Sequence, residues 1–223
     1  TPTTNVYTLD RWQAITPTVS SKFSVQQSST VPNGGFNSSL SITSLSAYTV
    51  GSSDRCAMYQ AIEGNNVSDL QWGTAYAANV TLSFWIRSSL TGAFGGSVQN
   101  NNGDRSYPFT YTINSANTWE QKSITIAGDT SGTWSKDNST GICIFFSLGT
   151  GSTYNGTANT WASANYRSAT GTTNLIGTNG ASLYLTGVQL EKGSTATSFD
   201  FRDYGKEIQL CQRYFTKSYN IET

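Results

Sequence analysis

The stretch Val80–Arg87 reads VTLSFWIR, and its alternation constrains this chain more than any other feature. Val80, Leu82, Phe84 and Ile86 point one way. Thr81, Ser83, Trp85 and Arg87 point the other, because successive side chains of an extended chain leave opposite faces. The same period recurs at Tyr107–Ile113 through Tyr107, Phe109, Tyr111 and Ile113. Further strand-like segments are Tyr7–Ile15, Lys22–Gln27, Ser39–Leu45, Cys56–Ile62, Trp119–Ile126, Gly141–Leu148, Ser182–Leu190 and Phe199–Tyr204. Gly187 interrupts its segment and predicts a bulge. The run Ile142–Phe146, ICIFF, is apolar at every position and predicts a strand buried on both faces.

Ser, Thr, Asn and Gly make up about 46% of the 223 residues. Such polarity suits disorder, but an aromatic content of 13% supplies a core. About ten short strands separated by Gly/Asn/Ser turns, with no helices between them, predict an all-β fold. The expected architecture is an antiparallel β-sandwich with little helix, of jelly-roll type. Periodicity alone leaves an immunoglobulin-like strand order open. The expected inner face is Leu82, Phe84, Ile86, Phe109, Ile113, Ile124, Ile126, Ile144 and Leu185.

Glu63–Gly73 reads as a loop with a helical turn at Val67–Leu70, and Asn102–Ser106 as a hairpin turn. Gly149–Asn179 contains no convincing strand, and loops longer than about 12–15 residues tend to be functional or disordered. Ile208, Cys211 and Phe215 share a helical face, as do Leu210 and Tyr214, although two further strand positions explain the tail equally well. Residues 1–204 are expected to form the sandwich. Residues 205–223 are expected to form a tail segment leading to, or packing against, another domain or subunit.

Thirteen Lys and Arg balance thirteen Asp and Glu. Zero net charge without a basic run excludes a dedicated nucleic-acid binder, since phosphate binding needs a local cationic excess. No apolar run approaches the ~18 residues of a membrane span. The chain has no histidine, which excludes a Ser-His-Asp triad, a Cys-His pair and imidazole zinc ligands. Cys56, Cys143 and Cys211 are read as buried small hydrophobes, with one bridge and one free thiol as the alternative. The start at Thr1, without a signal or transit peptide, is expected of a processed product or a piece of a longer polypeptide.

Tryptophans are the main candidate binding residues, since an indole face can stack on a pyranose ring. Trp12 and Trp119 open strands and are expected to pack at the core or rim, and Trp85 to lie under another layer. Trp72, Trp134 and Trp161 lie in Gly/Ser/Asn-rich loops, where they either contact a carbohydrate or pin their own loops. Tyr154 and Tyr166 share the long loop with Trp161. A glycosidase needs two carboxylates roughly 5–10 Å apart. Glu63, Asp69, Glu120 and Glu191 are candidates, but no spacing pairs them, and no catalytic residue is expected. No cofactor is expected, with a structural calcium near Glu191 as an open alternative.

Three stretches carry a family resemblance: YTLDRW (Tyr7–Trp12), Ile62–Gly92 continued by Ser106–Trp134, and LYLTGVQLEKGSTATSFDFRDYGKEIQLCQRYF (Leu183–Phe215). Together they resemble a module of tail-fibre and other virion-surface proteins of tailed bacteriophages. The middle stretch also resembles jelly-roll carbohydrate-binding modules, in the order VTLSFWIRS, NTWEQKSITI, LYLTGVQLEKG. The resemblance implies a virion structural protein, a tail- or capsid-fibre module whose loops bind host-surface glycan. The implied partners are that glycan, other virion proteins and further copies of the chain, as a trimer. A purely structural spacer or trimerisation module is the alternative, and a polysaccharide-degrading enzyme a third reading.

Overall fold

The alternating segments pair into strands. The computed structural model describes residues 2, 6–9, 11–16 and 22–212. Among these the strands are β1 (Val6–Leu9), β2 (Trp12–Ile15), β3 (Phe23–Ser28), β4 (Ser39–Ser44), β5 (Arg55–Glu63), β6 (Val80–Ser88) and β7 (Gly92–Gln99). They continue with β8 (Ser106–Ile113), β9 (Glu120–Ile126), β10 (Thr140–Thr150), β11 (Asn155–Gly156), β12 (Ser168–Ala169) and β13 (Ser182–Lys192). One α-helix, α1 (Tyr204–Gln212), follows.

Two antiparallel sheets form a sandwich. One runs β1-β2-β5-β10-β7-β8 and the other β3-β4-β13-β6-β9. Number β4 to β10 and β13 as eight strands in chain order. The first, eighth, third and sixth then share one sheet, and the second, seventh, fourth and fifth the other. That is the double Greek-key order of a jelly roll, and it excludes the immunoglobulin-like alternative.

All nine expected inner-face residues are buried. Phe146 of β10 is fully buried at the centre of an aromatic group. Its ring lies 5.0 Å from Phe84 and 5.9 Å from Trp12, with Phe109 at 6.3 Å and Tyr111 at 6.5 Å. These rings come from both sheets, so the sheets are joined by tilted and edge-to-face contacts of the kind aromatic quadrupoles favour.

Three local features follow the sequence closely. Gly187 adopts φ 59°, and the β13–β6 register shifts between Thr186 and Gln189, so the bulge is present. The Glu63–Gly73 loop holds short 3-10 turns at Gly64–Asn66 and Ser68–Leu70. Asn102–Ser106 lies in the β7–β8 hairpin, with Gln99 opposite Ser106.

Other segments depart from expectation. Tyr7–Ile15 is not one strand but the hairpin β1–β2, with Tyr7 opposite Gln13. Strand β7 was hidden by its composition, GAFGGSVQ. Its Gly96 is required by space, because a Cβ there would strike the Phe145 carbonyl and the Phe109 ring. Phe199–Tyr204 is not a strand. Phe199 and Phe201 instead pack on Phe36, at 5.2 and 5.3 Å, so aromatic packing replaces the ladder. The tail takes the helical option as α1, and Tyr214 and Phe215 lie outside the described residues. Cys56 and Cys143 are free thiols that face opposite sides of the six-stranded sheet. The side chain of Cys211 lies outside the description.

Replacing Phe146 with Ala is expected to destabilise the domain by about 3–5 kcal/mol, the usual range for a buried Phe in a core that cannot collapse. Urea unfolding monitored by tryptophan fluorescence measures it, and a loss under about 1 kcal/mol would contradict a central role for this ring.

Candidate functional site

The three loop tryptophans meet one another. Trp72 and Trp134 lie 4.7 Å apart at 80°, Trp72 and Trp161 5.4 Å apart, and Trp134 and Trp161 5.5 Å apart. Each indole N–H donates to a loop carbonyl: Trp72 to Ala78 at 2.7 Å, Trp134 to Ser131 at 3.1 Å, and Trp161 to Ala127 at 2.8 Å. Trp72 is 3% exposed and Trp134 8%. This corrects the sugar-platform expectation for these two, because edge-to-face packing has taken the surfaces a pyranose would use. Trp161 is half-buried, with the Arg105 guanidinium 5.8 Å above its ring. Arg105 is in turn held by the buried Asp129, at 2.7 and 2.6 Å. The trio and this ion pair tie loops together at one end of the sandwich.

A different group lies on the outer face of the six-stranded sheet. Pleating sends Ile144 and Phe146 inward, and Cys143 and Phe145 outward. Outside, Phe145 packs with Ile15 and Ala57 and stacks on Tyr59, with ring centroids 5.0 Å apart and planes at 21°. The Tyr59 hydroxyl donates to Gln13 Oε1 at 2.5 Å. Above Phe145 stands the Arg167 guanidinium, 4.0 Å from the ring centroid. Arg55, at the start of β5, stands 5.2 Å from the Tyr154 ring.

The long loop carries Tyr154, Tyr166 and Arg167 onto this face. Its ordering element is a short parallel pair, with Asn155 opposite Ser168 and Gly156 opposite Ala169. The Arg167 N–H donates to the Tyr154 carbonyl at 2.7 Å. The Gln99 side-chain amide donates to the Tyr166 carbonyl, and Ala162 bridges to Ser106 at the β8 edge. Tyr166 packs against Gly156, where a Cβ would strike its ring. Beside it opens a shallow depression of about 340 Å³, lined by Asn155, Thr157, Thr160, Tyr166 and Thr170 among others. Tyr154 and Tyr166 are half-buried, and among the described residues neither hydroxyl has a protein partner.

Of the five expected carbohydrate-contacting residues, the structure therefore places Trp72, Trp134 and Trp161 together at one end. It places Tyr154 and Tyr166 together in the loop that crosses the sheet. Sequence reading missed Arg55, Tyr59, Phe145 and Arg167. The signal was the ICIFF run: a strand apolar on both faces requires something to cover its outer side.

The candidate carboxylates each have local partners. Asp69 pairs with Lys192 at 3.1 Å, Glu191 accepts from the Thr197 hydroxyl and N–H, and Glu63 accepts from Asn65 at 3.5 Å. Glu120 closes the Asn114–Ser115 turn and pairs with Lys122 at 2.5 Å. Burial pushes the Glu120 carboxyl up, but the bonds from Lys122, Ser115 and Asn114 outweigh it and hold it near 2. Among the described residues no group of three or more acidic or cysteine side chains could hold a metal ion, so the calcium expectation near Glu191 finds no such ligand set.

No protein-family model matches the sequence, and no curated protein matches it significantly. Solved structures of similar shape include the enzymatically active domain of tailspike protein 4 from bacteriophage CBA120. It is 13% identical with a TM-score of 0.47, over 83% of this chain and 20% of that one. They also include a family 11 carbohydrate-binding module from Clostridium thermocellum in complex with a β-1,3-1,4-mixed-linked tetrasaccharide. That module is 12% identical with a TM-score of 0.43, over 88% of this chain and 96% of that one. A third is a sugar-binding protein, so described provisionally, from Bacteroides thetaiotaomicron. It is 12% identical with a TM-score of 0.45, over 86% and 95% of the two chains. This chain spans about a fifth of the tailspike domain's length.

Trp72→Ala is expected to cost about 3–5 kcal/mol of folding stability and to quench or shift the emission of the remaining pair, Trp134 and Trp161. Denaturant titration with fluorescence detection checks both, and an unperturbed midpoint would make the cluster dispensable. For Glu120, the folded carboxyl lies near 2 against an ordinary 4.5. Its stabilising contribution is therefore complete above about pH 4.5 and is lost as pH falls toward 2. Glu120→Gln should flatten that part of the acid limb in a melting-temperature series, and an unchanged limb would contradict the assignment.

Proposed function

We propose that this chain is a glycan-binding jelly-roll module of a virion-surface fibre protein, binding host-surface carbohydrate without catalysing its cleavage. The observation that carries the binding reading is the outer face of the six-stranded sheet. Half-buried tyrosines and two guanidiniums converge there on a rigid strand platform, beside a depression lined by Asn155 and threonine hydroxyls. Apolar rings framed by a few oriented polar groups are the usual composition of a small-ligand site. Aromatic rings can stack on the C–H face of a pyranose, and amides and hydroxyls can exchange hydrogen bonds with its hydroxyls. The candidate carboxylates instead bind separate local partners, which supports binding over hydrolysis.

The virion placement rests on the resemblance of Tyr7–Trp12, Ile62–Gly92 continued by Ser106–Trp134, and Leu183–Phe215 to phage fibre modules. Weak sites suffice in a fibre, because several copies acting together raise the effective affinity.

A second role in assembly is favoured by one observation. Phe201 is 56% exposed and Tyr204 79%, with Ile208 and Leu210 also exposed on α1. Exposed large apolar side chains concentrated in one segment mark a candidate interaction site, and they support packing of the tail against further copies, as a trimer, or against other virion proteins.

A multivalent display of the chain on a glycan array is expected to bind a defined glycan set. Tyr59→Ala and Tyr154→Ala should each weaken binding by about tenfold or more, on the order of 1.4 kcal/mol. Tyr59→Ala should also lower the melting temperature, because Tyr59 covers Phe145, so its binding is compared at a temperature where melting curves show it folded. Binding to no glycan would favour the spacer reading. Release of reducing ends that disappears in Glu120→Gln or Glu191→Gln would establish the enzyme instead.

A further inference from the structure

The outer-face cluster carries positive charge that the protein does not neutralise. Among the described residues, neither the Arg55 nor the Arg167 side chain makes a hydrogen bond or an ion pair, and Arg167 Nε is buried without a partner. Other arginines differ. Arg11, Arg105 and Arg202 each meet a carboxylate, and Arg87 donates to the Asn117 carbonyl at 2.9 Å. Arg55 and Arg167 are held instead by the π faces of Tyr154 and Phe145. A ring face attracts a cation but leaves the in-plane N–H donors unused.

The two cations also act on each other. Burial first, then the charge of Arg55, lowers Arg167 to about 10, so it remains protonated at neutral pH. The other groups acting on Arg167 are Cys143, Tyr59 and Tyr154, with no carboxylate among them. Cys143 cannot serve as counter-ion, because burial pushes its thiol up to about 11. Two like charges partly removed from water are unfavourable until an anion joins them.

Their placement is fixed beforehand. The Asn155–Ser168 and Gly156–Ala169 pairing, the Arg167 N–H bond to Tyr154 and the Gln99 clamp on Tyr166 all restrain the loop. Arg55 extends from a strand of the rigid sheet.

We propose that Arg55 and Arg167 form a subsite for the anionic group of an acidic glycan, a uronate carboxylate or a sulfate ester. This rests on the glycan-binding reading of the same face. A guanidinium fork matches the geometry of either oxyanion and can bond it through two parallel N–H donors. The neighbouring Tyr59 and Tyr154 rings take the sugar body. Zero net charge and the absence of a basic run set a glycan apart from nucleic acid as the occupant.

Affinity electrophoresis of the full chain tests this, in gels containing polygalacturonate, dextran sulfate, neutral dextran, a neutral β-glucan or single-stranded DNA. Retardation by polygalacturonate or by dextran sulfate is expected, weakening as salt is raised. Which polymer retards the chain identifies the anion as carboxylate or sulfate. Arg55→Gln should weaken that retardation about tenfold or more. Arg167→Lys, which keeps the charge and loses the fork, should weaken it less than Arg167→Gln, with melting curves confirming that each variant is folded.

Acidic-polymer retardation unchanged in Arg55→Gln and Arg167→Lys would overturn the subsite. Retardation by the neutral polymers alone, indifferent to both arginines, would overturn the acidic ligand while leaving the glycan reading intact. Retardation by no polysaccharide would overturn both, as would retention by single-stranded DNA alone.

Discussion

Strand β10 has to be dry on both sides, and much of the molecule is arranged around that requirement. Inward, Phe146 joins the two sheets through rings from each of them. Outward, Phe145 is 2% exposed although it points away from the sandwich interior. A jelly roll has two sheets and no third layer, so the covering must come from a side chain or a loop. Here Tyr59 covers one part of Phe145 by stacking, and the loop after β10 returns to set Arg167 on it. The need to bury one outward aromatic thus orders a segment that would otherwise be a free connection.

The nature of the cover decides the chemistry of the face. An aliphatic side chain over Phe145 would have finished a small secondary core and left nothing to bind. A guanidinium shields the ring equally well while leaving its in-plane donors without protein partners among the described residues. The same arrangement recurs with Arg55 on Tyr154. In the proposed reading, stability and recognition therefore share residues on this face. At the tryptophan end they are separate, because indole edges and the Arg105–Asp129 pair satisfy one another internally.

The fold was largely legible because period-2 alternation survives in strands with one dry face. Val80–Arg87 and Tyr107–Ile113 show it, and the inner-face residues followed. It failed where packing overrode the pattern. Strand β7 shows little alternation, since Gly96 is there to admit Phe109 and the β10 backbone rather than to fill space. The Phe199–Phe201 alternation resembles a strand, yet its rings are drawn to Phe36 instead of a ladder partner. The site was less legible for a related reason. Loop composition cannot separate a tryptophan that pins a loop from one that presents a ring. Trp72 and Trp134 have the Gly/Ser/Asn neighbours expected of either role, and only their mutual packing decides between them.

The residues that escaped notice share a property that a one-dimensional reading discards. Arg55 lies in sequence beside Asp54 and Cys56, and would ordinarily be assigned Asp54 as its partner. In the structure Asp54, just before β5, accepts from the Tyr48 hydroxyl at 2.6 Å and from the Gly51 N–H at 2.8 Å. Arg55 leaves on the face shared by Ala57 and Tyr59. Zero net charge for the whole chain likewise conceals a local excess, because the acids that balance Arg55 and Arg167 in the count are engaged elsewhere. Asp54 is held by the Tyr48 hydroxyl and the Gly51 N–H, Asp137 by Ser139 and Glu191 by Thr197, none of them a cation. Charge neutrality is a property of the composition. Recognition depends on which charges the fold leaves without a partner, and here strand alternation and loop return leave two cations together on one face.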